Sequence, residues 1–256
     1  MMLQLGYLGD CFHGFARQPH HRTVEGDLLE ALEKIGYSGP LRPASRTDKG
    51  VSALCNVIQI DYWGSDICRR LTSLLDRIWV YGYSQENQNP RHSYKHYIYF
   101  YRGLFEEARG DRVCTLFTGS HDFSALSRGV HENTIKEIRV TREPRGPISL
   151  FHFYGKSFLW EMIRRCMTAM GSYLTGGTTE ETLLQILAGN AQSKIPPAPA
   201  ENLLLAELVY PFTFTVDGYS YKRMKSVLTE SHEKYAMLTC KFEEMLRFFP
   251  EKKGKE

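Results

Sequence analysis

The feature that most constrains the fold is the alternation of short strand-like and helix-like segments along the whole chain, without a repeat of fixed period. Segment 3–8 is short and apolar, as β-strands are. Segment 25–36 instead places Leu28, Leu32 and Ile35 on one helical face and ends at a glycine. Segments of both kinds in mixed order are typical of sheets covered by helices, so we predict an α+β fold.

The polar segment 85–91 is the best candidate for a linker, because it contains an Asn-Pro pair, which disfavours a helix. Strand-like and helix-like segments occur on both sides of it. We therefore predict two mixed α/β halves with antiparallel sheets, residues 1–90 and 91–216, joined around a central basic cleft. A helical extension, residues 217–256, is expected to follow, with a break near Ser231.

Composition excludes several classes of protein. The chain has 256 residues, 42% of them hydrophobic and 24% charged, which is the balance of a folded globular protein. It has no apolar run near the ~18 residues of a membrane span, and its N-terminus lacks the basic flank of a signal peptide. Its six cysteines form no Cys-x-x-Cys pair, which favours free thiols and a cytoplasmic protein. The formal net charge of +3 permits a nucleic-acid partner without requiring one.

Residues 44–53 form the densest cluster of reactive side chains. Asp48 lies between Arg46 and Lys49 on a turn closed by Gly50, and neighbouring cations favour the charged form of a carboxyl group. A charged carboxylate at the exposed end of a strand can serve as a nucleophile or as a general base. A type I turn with a surface ion pair is the alternative interpretation of the same residues.

A second cluster precedes it, in the glycine-containing segment 7–19. Aromatic rings alternate there with polar and basic side chains, and such a mixture suits RNA, because rings stack on bases while cations bind phosphates. A loop held in place by buried Phe12 and Phe15 is the alternative interpretation. The candidate RNA-binding side chains of this region are His13, Arg17, Gln18 and Arg22.

Six motifs follow one another along residues 2–212. They are Y-x-G-x-x-F-x-G-x-x-x-Q-P at 7–19, R-T-V-E-G-x-L at 22–28, S-R-T-D-K-G-V-S-A at 45–53, H-D-F-S at 121–124, F-L-x-x-M-I-R at 158–164 and A-P-x-x-N-L at 198–203. A chain that carries them in this order resembles the TruA family of tRNA pseudouridine synthases. Lys49 and Ser52 stand where bacterial members often have small and histidine residues, so the chain is more similar to archaeal and eukaryotic members.

The resemblance implies a pseudouridine synthase fold. It also implies an isomerase that converts uridine to pseudouridine in the anticodon stem-loop of tRNA, at positions 38–40, as a homodimer and without a cofactor or a metal. The residues that correspond to the family's catalytic aspartate, adjacent arginine, active-site tyrosine and helix arginine are Asp48, Arg46, Tyr97 and Arg164. Tyr94 and Tyr99 remain alternatives to Tyr97.

The reaction itself asks for such residues. The glycosidic bond must break, the uracil must turn and C5 must bond to the sugar, so the target base has to leave its stack. Asp48 can attack the base or the sugar, or remove a proton, and the residues alone leave this open. Tyr97 can stack on the everted uracil, Arg164 can pair with Asp48 before RNA binds, and Arg46 can fill the gap in the RNA helix or hold a phosphate.

Basic residues far apart in sequence would line an RNA cleft if the fold brings them together. Besides those of segment 7–22, the candidates are Lys49, Arg91 and Lys156. The modest net charge would then hide a strong local field.

Two other functions stay open on the residues alone. A non-catalytic RNA-binding protein on the same scaffold would not need Asp48. A hydrolase built on His121 and Asp122 is the other, although no serine or cysteine lies in a recognisable nucleophile elbow. Segment 11–21 contains one cysteine and three histidines but no second ligand pair at zinc-finger spacing, so we expect no metal site.

Overall fold

The computed structural model describes residues 1–64, 66–191 and 193–249. Its strands are β1 (Met2–Tyr7), β2 (Arg42–Pro43), β3 (Ser52–Gln59), β4 (Ile78–Ser84), β5 (Tyr94–Arg102), β6 (Gly119–Asp122), β7 (Ile135–Arg145), β8 (Ile148–Gly155), β9 (Leu203–Val209) and β10 (Thr215–Val216). Its helices are α1 (Val24–Lys34), α2 (Ile67–Leu74), α3 (Glu107–Phe117), α4 (Met162–Leu174), α5 (Glu180–Leu187) and α6 (Gly218–Arg247). The predicted α+β class is confirmed.

The ten strands described form one sheet in the order β10-β4-β1-β3-β9-β5-β8-β7-β6, and β2 pairs with β3 outside this row. β3 and β9 run parallel, with Ser52 opposite Leu204 and Ala53 opposite Leu205. The other pairs between these described strands are antiparallel. Two antiparallel halves are therefore joined through one parallel pair, as the prediction of joined sheets required.

The parallel pair determines where two distant loops meet. Neighbouring parallel strands begin at the same edge of a sheet. The segment before β3, residues 44–51 (here called the Asp48 loop), therefore lies beside the segment before β9. A Cβ built on Gly50 would lie 3.5 Å from the Cβ of Ala200. The junction of the two halves thus gathers parts of both at one place.

The helix predicted over residues 25–36 is observed as α1. The hydroxyl of Thr23 accepts a hydrogen bond from the backbone N of Gly26 at 3.2 Å and satisfies one free donor of the first turn. Leu28 and Leu32 are fully buried on the face turned to the sheet. Gly36, with a φ of +86°, follows the helix end.

Alternating side chains of a strand point to opposite faces of the sheet. In β4, Ile78 and Val80 are fully buried in a core to which α1–α5 contribute. Trp79 and Tyr81 of the same strand form a second cluster with Met224 of α6. The C-terminal helix therefore covers the other face of the N-terminal half.

Helix α6 runs unbroken from Gly218 to Arg247, so the predicted break near Ser231 is wrong. Segment 219–249 contains no proline or glycine, and one serine costs a helix only roughly 0.5 kcal/mol, too little to interrupt it. The helix begins at the carboxylate of Asp217, which accepts a hydrogen bond from the backbone N of Ser220 at 2.8 Å. Residues 250–256 of the predicted extension lie outside the described residues.

The end of the chain returns to the N-terminal half. Strand β10, which the sequence assigned to the C-terminal half, pairs with β4 through Thr215 opposite Tyr83. α6 then packs on the same strand. The division into domains at residues 90 and 216 stays a prediction.

Candidate active site

Asp48 is presented by the loop between β2 and β3. The backbone N of Val51 donates to the carbonyl of Asp48 at 3.2 Å and closes a turn, with Gly50 at a φ of +88°. Gly14, at a φ of +94°, approaches so closely that a Cβ there would lie 3.1 Å from the carbonyl oxygen of Thr47. The Asp48 loop is thus packed backbone against backbone on the glycine-containing segment.

Buried polar side chains support the Asp48 loop from within. The hydroxyls of Tyr7 and Thr47 lie 2.8 Å apart. Asn56 donates from Nδ2 to the carbonyl of Ser45 at 2.9 Å and to the hydroxyl of Tyr7 at 3.3 Å. Burial raises the pKa of Tyr7, so this hydroxyl stays neutral. The network holds the backbone on both sides of Arg46 in one conformation.

The Asp48 carboxylate is paired with the N-terminal end of α4. Arg164 donates from Nη1 to Oδ2 of Asp48 at 2.9 Å and from Nε to the carbonyl of Ala198 at 2.7 Å. The indole Nε1 of Trp160 donates to the other oxygen, Oδ1, at 3.0 Å. The side chains of Asp48 and Arg164 are 20% and 14% exposed. The carboxylate is therefore oriented by two donors and still reachable from solvent.

Tyr97 reaches the same loop from β5. Its hydroxyl lies 2.7 Å from Oγ of Ser45, and its ring meets that of Phe158 edge-on, with the centroids 5.4 Å apart. Burial raises the pKa of Tyr97 to about 12, and the charge of Asp48 adds to the shift. Near neutral pH, Tyr97 therefore offers the Asp48 loop a neutral hydroxyl and a fixed ring.

The two alternative tyrosines are placed differently. Tyr94 is exposed and lies on the opposite face of β5 from Tyr97, because successive strand residues alternate between faces. Tyr99 shares the face of Tyr97 but is turned toward Arg164 and Asn202, and burial raises its pKa against their opposing effects. The geometry favours Tyr97 as the tyrosine of the Asp48 loop.

Arg46 and Lys49 are exposed, and among the described residues neither forms an ion pair with Asp48. The sequence expected these neighbours to hold the carboxylate, but the structure gives that role to Arg164. The ion pair predicted between Arg164 and Asp48 is present. The exposed side chains of Arg46 and Lys49 can therefore bind a ligand.

A cluster of polar side chains lies beside the Asp48 loop. The rings of His13 and His21 stack with their centroids 4.3 Å apart. Gln18 donates from Nε2 to the carbonyl of His13 at 2.8 Å. Desolvation and the charges of Lys49 and His21 lower the pKa of His13. Three predicted RNA-binding residues, His13, Gln18 and Lys49, are thus brought together.

The two arginines of the same region have different tasks. Arg22 forms an ion pair with Asp27 at 2.8 Å and lies over the ring of Phe12, 4.8 Å from its centroid. The side chain of Arg17 is exposed, and only its backbone N is bonded in this part of the structure, to the carboxylate of Glu25 at 2.8 Å. The Arg17 side chain therefore faces solvent, whereas the Arg22 side chain already stabilises the loop.

A buried lysine that the sequence analysis did not single out joins two predicted basic residues. Lys95 donates from Nζ to the carbonyls of Arg91 and Lys156 at 3.1 and 3.0 Å and to Oγ of Ser93 at 3.2 Å. The side chains of Arg91 and Lys156 are exposed. Lys95 lies two residues before Tyr97, and side chains two residues apart in a strand share a face of the sheet. This spacing is the sequence signal that predicts Lys95 on the buried face.

His121 and Asp122, the alternative catalytic dyad, lie at a turn. Oδ1 of Asp122 accepts a hydrogen bond from the backbone N of Ser124 at 2.9 Å, and this bond lowers the pKa of the Asp122 carboxyl. The ring of His121 lies 3.4 Å from the carbonyl of Thr118. Asp122 therefore ends β6 and begins the next turn, as a structural residue does.

Comparison with known proteins gives the family. Residues 113–211 match the family model described as tRNA pseudouridine synthase. The tRNA pseudouridine synthase A of Pyrococcus furiosus is 36% identical over 256 aligned residues, which cover 95% of this chain and 96% of that protein. This chain belongs to the tRNA pseudouridine synthase family. It is therefore an isomerase, and tRNA is its family's substrate.

Other relatives of this tRNA pseudouridine synthase are also archaeal. The proteins named tRNA pseudouridine synthase A from Thermococcus onnurineus and Methanothermobacter thermautotrophicus are 39% and 32% identical. They cover 82% and 91% of this chain and 84% and 90% of their own lengths. A chain in a crystal structure of a Cbf5-Nop10-Gar1 complex matches 67% of this chain and 44% of its own, with a TM-score of 0.36 and 15% identity.

Some features are absent from the part of this synthase that the structure describes. No three His, Cys, Asp or Glu side chains in it are grouped so that they could hold a metal ion. In the same part, no helix combines the length and the apolarity needed to cross a bilayer. The six cysteines are free thiols. The expectation of a reaction without cofactor or metal stays a prediction.

Proposed function

We propose that this synthase converts uridine to pseudouridine at positions 38–40 of the anticodon stem-loop of tRNA, with Asp48 as its catalytic aspartate. The observation that carries the proposal is the partly exposed Asp48 carboxylate, oriented by Arg164 and placed beside Tyr97. Exposed basic side chains near the Asp48 loop support an RNA ligand. The positions within the anticodon arm come from the sequence resemblance.

The proposed reaction conserves all atoms of the nucleotide. The bond from C1′ of the ribose to N1 of the uracil breaks, the ring turns and C1′ bonds to C5. The proton on C5 leaves and N1 gains one. The carboxylate of Asp48 can bond transiently to the sugar or the base, or can accept the C5 proton. Each of these roles needs a carboxylate held close to an everted uracil.

The neighbours of Asp48 take supporting roles. Arg164, anchored on the carbonyl of Ala198, keeps the carboxylate in position as the RNA binds. Tyr97 forms part of the surface on which the everted uracil rests. Arg46 is exposed and can fill the gap in the RNA helix or bind a phosphate. In this proposal the RNA also contacts His13, Arg17, Gln18, Lys49, Arg91 and Lys156, and Arg22 acts mainly through the loop that it stabilises.

The deciding experiment replaces Asp48 by asparagine, which keeps the shape of the side chain and removes its charge. We expect Asp48→Asn to lose pseudouridine formation by roughly a thousandfold or more while tRNA affinity stays within about threefold. Asp61→Asn, at an exposed position after β3, is the matched control and keeps full activity. Full turnover by Asp48→Asn would refute the assignment. A wild-type protein that binds tRNA without forming product would be the non-catalytic RNA-binding protein.

The proposed target is tested with unmodified tRNAs that carry a single uridine at position 38, 39 or 40, followed by chemical labelling of pseudouridine. We expect product at these positions and none in a tRNA whose uridines lie only outside the anticodon arm. Labelling in another arm alone would contradict the proposed position but not the catalytic role of Asp48.

We also propose that the protein is a homodimer in the cytoplasm. The second half of α6 carries apolar residues at the alternating three- and four-residue spacing of a coiled-coil seam: Tyr235, Leu238, Phe242 and Met245. The same seam begins with Met224, which is buried against β4, but further along the helix Phe242 and Met245 are 56% and 51% exposed. A second copy of the helix would cover this stripe.

A further inference from the structure

Trp160 lies at the candidate active site but is none of the predicted site residues. Its indole donates to Oδ1 of Asp48 at 3.0 Å, and half of the residue is exposed. The other oxygen, Oδ2, is held by Arg164. A uridine that approaches the carboxylate competes with these two donors for its lone pairs, so a donor that gives way leaves one oxygen free for the substrate.

The two donors are held differently. Arg164 lies inside α4, and its guanidinium also donates to the carbonyl of Ala198, so moving it would break a second hydrogen bond. Trp160 precedes α4, and the face of its indole lies against the guanidinium of Arg128, 4.3 Å from the ring centroid. Trp160 is therefore the donor that can leave Asp48 at the lower cost.

The backbone beside Trp160 is strained. Glu161 has a φ of +60°, which residues with a side chain rarely adopt. Its carboxylate is nearly buried and pairs with both Arg165 and Arg128. These ion pairs hold a turn that costs about 1 kcal/mol or more, and strain of this kind is concentrated at functional sites. The turn sets the direction in which Trp160 leaves the backbone.

Arg128 and Trp160 together have the chemistry of a nucleotide site. The Arg128 side chain is 55% exposed and lies on a half-exposed indole. Unstacked bases of RNA stack on aromatic rings and on guanidinium planes, and guanidinium groups also bind phosphates. Everting a base breaks its stacking on both neighbours, so an aromatic surface next to the reacting carboxylate offers one of these nucleotides a new contact.

We propose that Trp160 and Arg128 form the binding site for one unpaired nucleotide of the RNA, and that the indole releases Oδ1 of Asp48 when that nucleotide binds. The proposal rests on the RNA-modifying function proposed above and adds a substrate-binding site to it. Trp160 stacks on the base, and Arg128 binds the phosphate beside it.

Steady-state kinetics on unmodified tRNA test the site. We expect Trp160→Ala to raise KM about tenfold or more with kcat within about threefold, because it removes a stacking surface. Trp160→Phe keeps a ring and holds KM within about threefold of the wild-type value. Arg128→Gln raises KM about threefold. The matched control is Trp63→Ala, which removes another exposed tryptophan and leaves KM unchanged.

Fluorescence tests the movement of the indole directly. In a Trp63→Phe background the remaining tryptophans are Trp160 and the buried Trp79, so a change of emission on tRNA binding reports Trp160. We expect quenching at saturating tRNA, and no quenching when Trp160 is replaced by Phe in the same background. Melting temperatures show whether Trp160→Ala folds. If it does not, the fluorescence measurement still tests whether the indole moves.

Two results would overturn the nucleotide site: an unchanged KM for folded Trp160→Ala, or an unchanged emission on tRNA binding. If Asp48→Asn is inactive and either result is obtained, only this site is wrong. If Asp48→Asn keeps full turnover, the proposed function itself fails, whatever Trp160 does.

Discussion

The amine of Lys95 lies in an unusual environment for a charged group. Its side chain is almost buried and faces backbone carbonyls and a serine rather than a carboxylate. Loss of hydration lowers its pKa to about 8, and the charge of Arg91 acts in the same direction. Because the amine ties the backbones of Arg91 and Lys156 together two residues from Tyr97, it links two candidate RNA-binding residues to the active-site strand.

The pKa of Lys95 predicts a pH dependence of stability. Between about pH 8 and the ordinary lysine value of 10.5, the unfolded chain binds more protons at this position than the folded one, so the contribution to stability rises with pH. Relative to Lys95→Met, we expect the wild-type free energy of unfolding to increase by roughly 2 kcal/mol from pH 7 to 9.5. Urea denaturation measures it, and exposed Lys34→Met is the control. A pH-independent difference would contradict the prediction.

At the scale of elements, the active site depends on the contact between the Asp48 loop and the segment after β1. Gly14 allows this contact through its positive φ and through the absence of a side chain beside Thr47. Gly36 offers a matched comparison, since it too has a positive φ but no atom lies within 4 Å of where its Cβ would be. A substitution at Gly36 therefore tests backbone strain alone, whereas the same substitution at Gly14 tests strain together with displacement of the Asp48 loop.

We expect Gly14→Ala to destabilise the protein by about 2 kcal/mol and to lower kcat, because the new methyl group pushes the Asp48 loop aside. Gly36→Ala is expected to cost about 1 kcal/mol through backbone strain alone and to leave kcat unchanged. Thermal unfolding and single-turnover rates measure both effects. Equal rates for the two variants would mean that the close contact does not position Asp48.

At the scale of the whole molecule, the RNA surface is expected to be more basic than the net charge of +3 suggests. Each phosphate that a lysine or arginine neutralises releases counterions, so the logarithm of Kd should rise with the logarithm of salt concentration with a slope of about 4. Lys156→Gln is expected to reduce that slope by about 1, and Lys34→Gln, on α1, to leave it unchanged. A flat salt response would argue against an RNA cleft.

The oligomeric state is also a property of the whole molecule. We expect light scattering to give the mass of a dimer for the wild type and of a monomer for Phe242→Glu combined with Met245→Glu, because buried charges oppose a helix seam. Cys240→Glu adds charge on the opposite side of α6, at an exposed position, and should leave the dimer intact. A wild-type monomer, or a dimer that survives the double substitution, would exclude this seam.

The residues alone determined the α+β class, the order of most strands and helices and, through six spaced motifs, the family. Local patterns suffice for these, because strand period, helix caps and turn residues act over a few positions. The family resemblance already implied that Arg164 pairs with Asp48. Tertiary structure decided that, among the described residues, neither Arg46 nor Lys49 pairs with Asp48, and that Trp160 covers its second oxygen. These contacts join residues more than a hundred positions apart through the β3–β9 junction, and no local pattern encodes which distant side chains a sheet brings together.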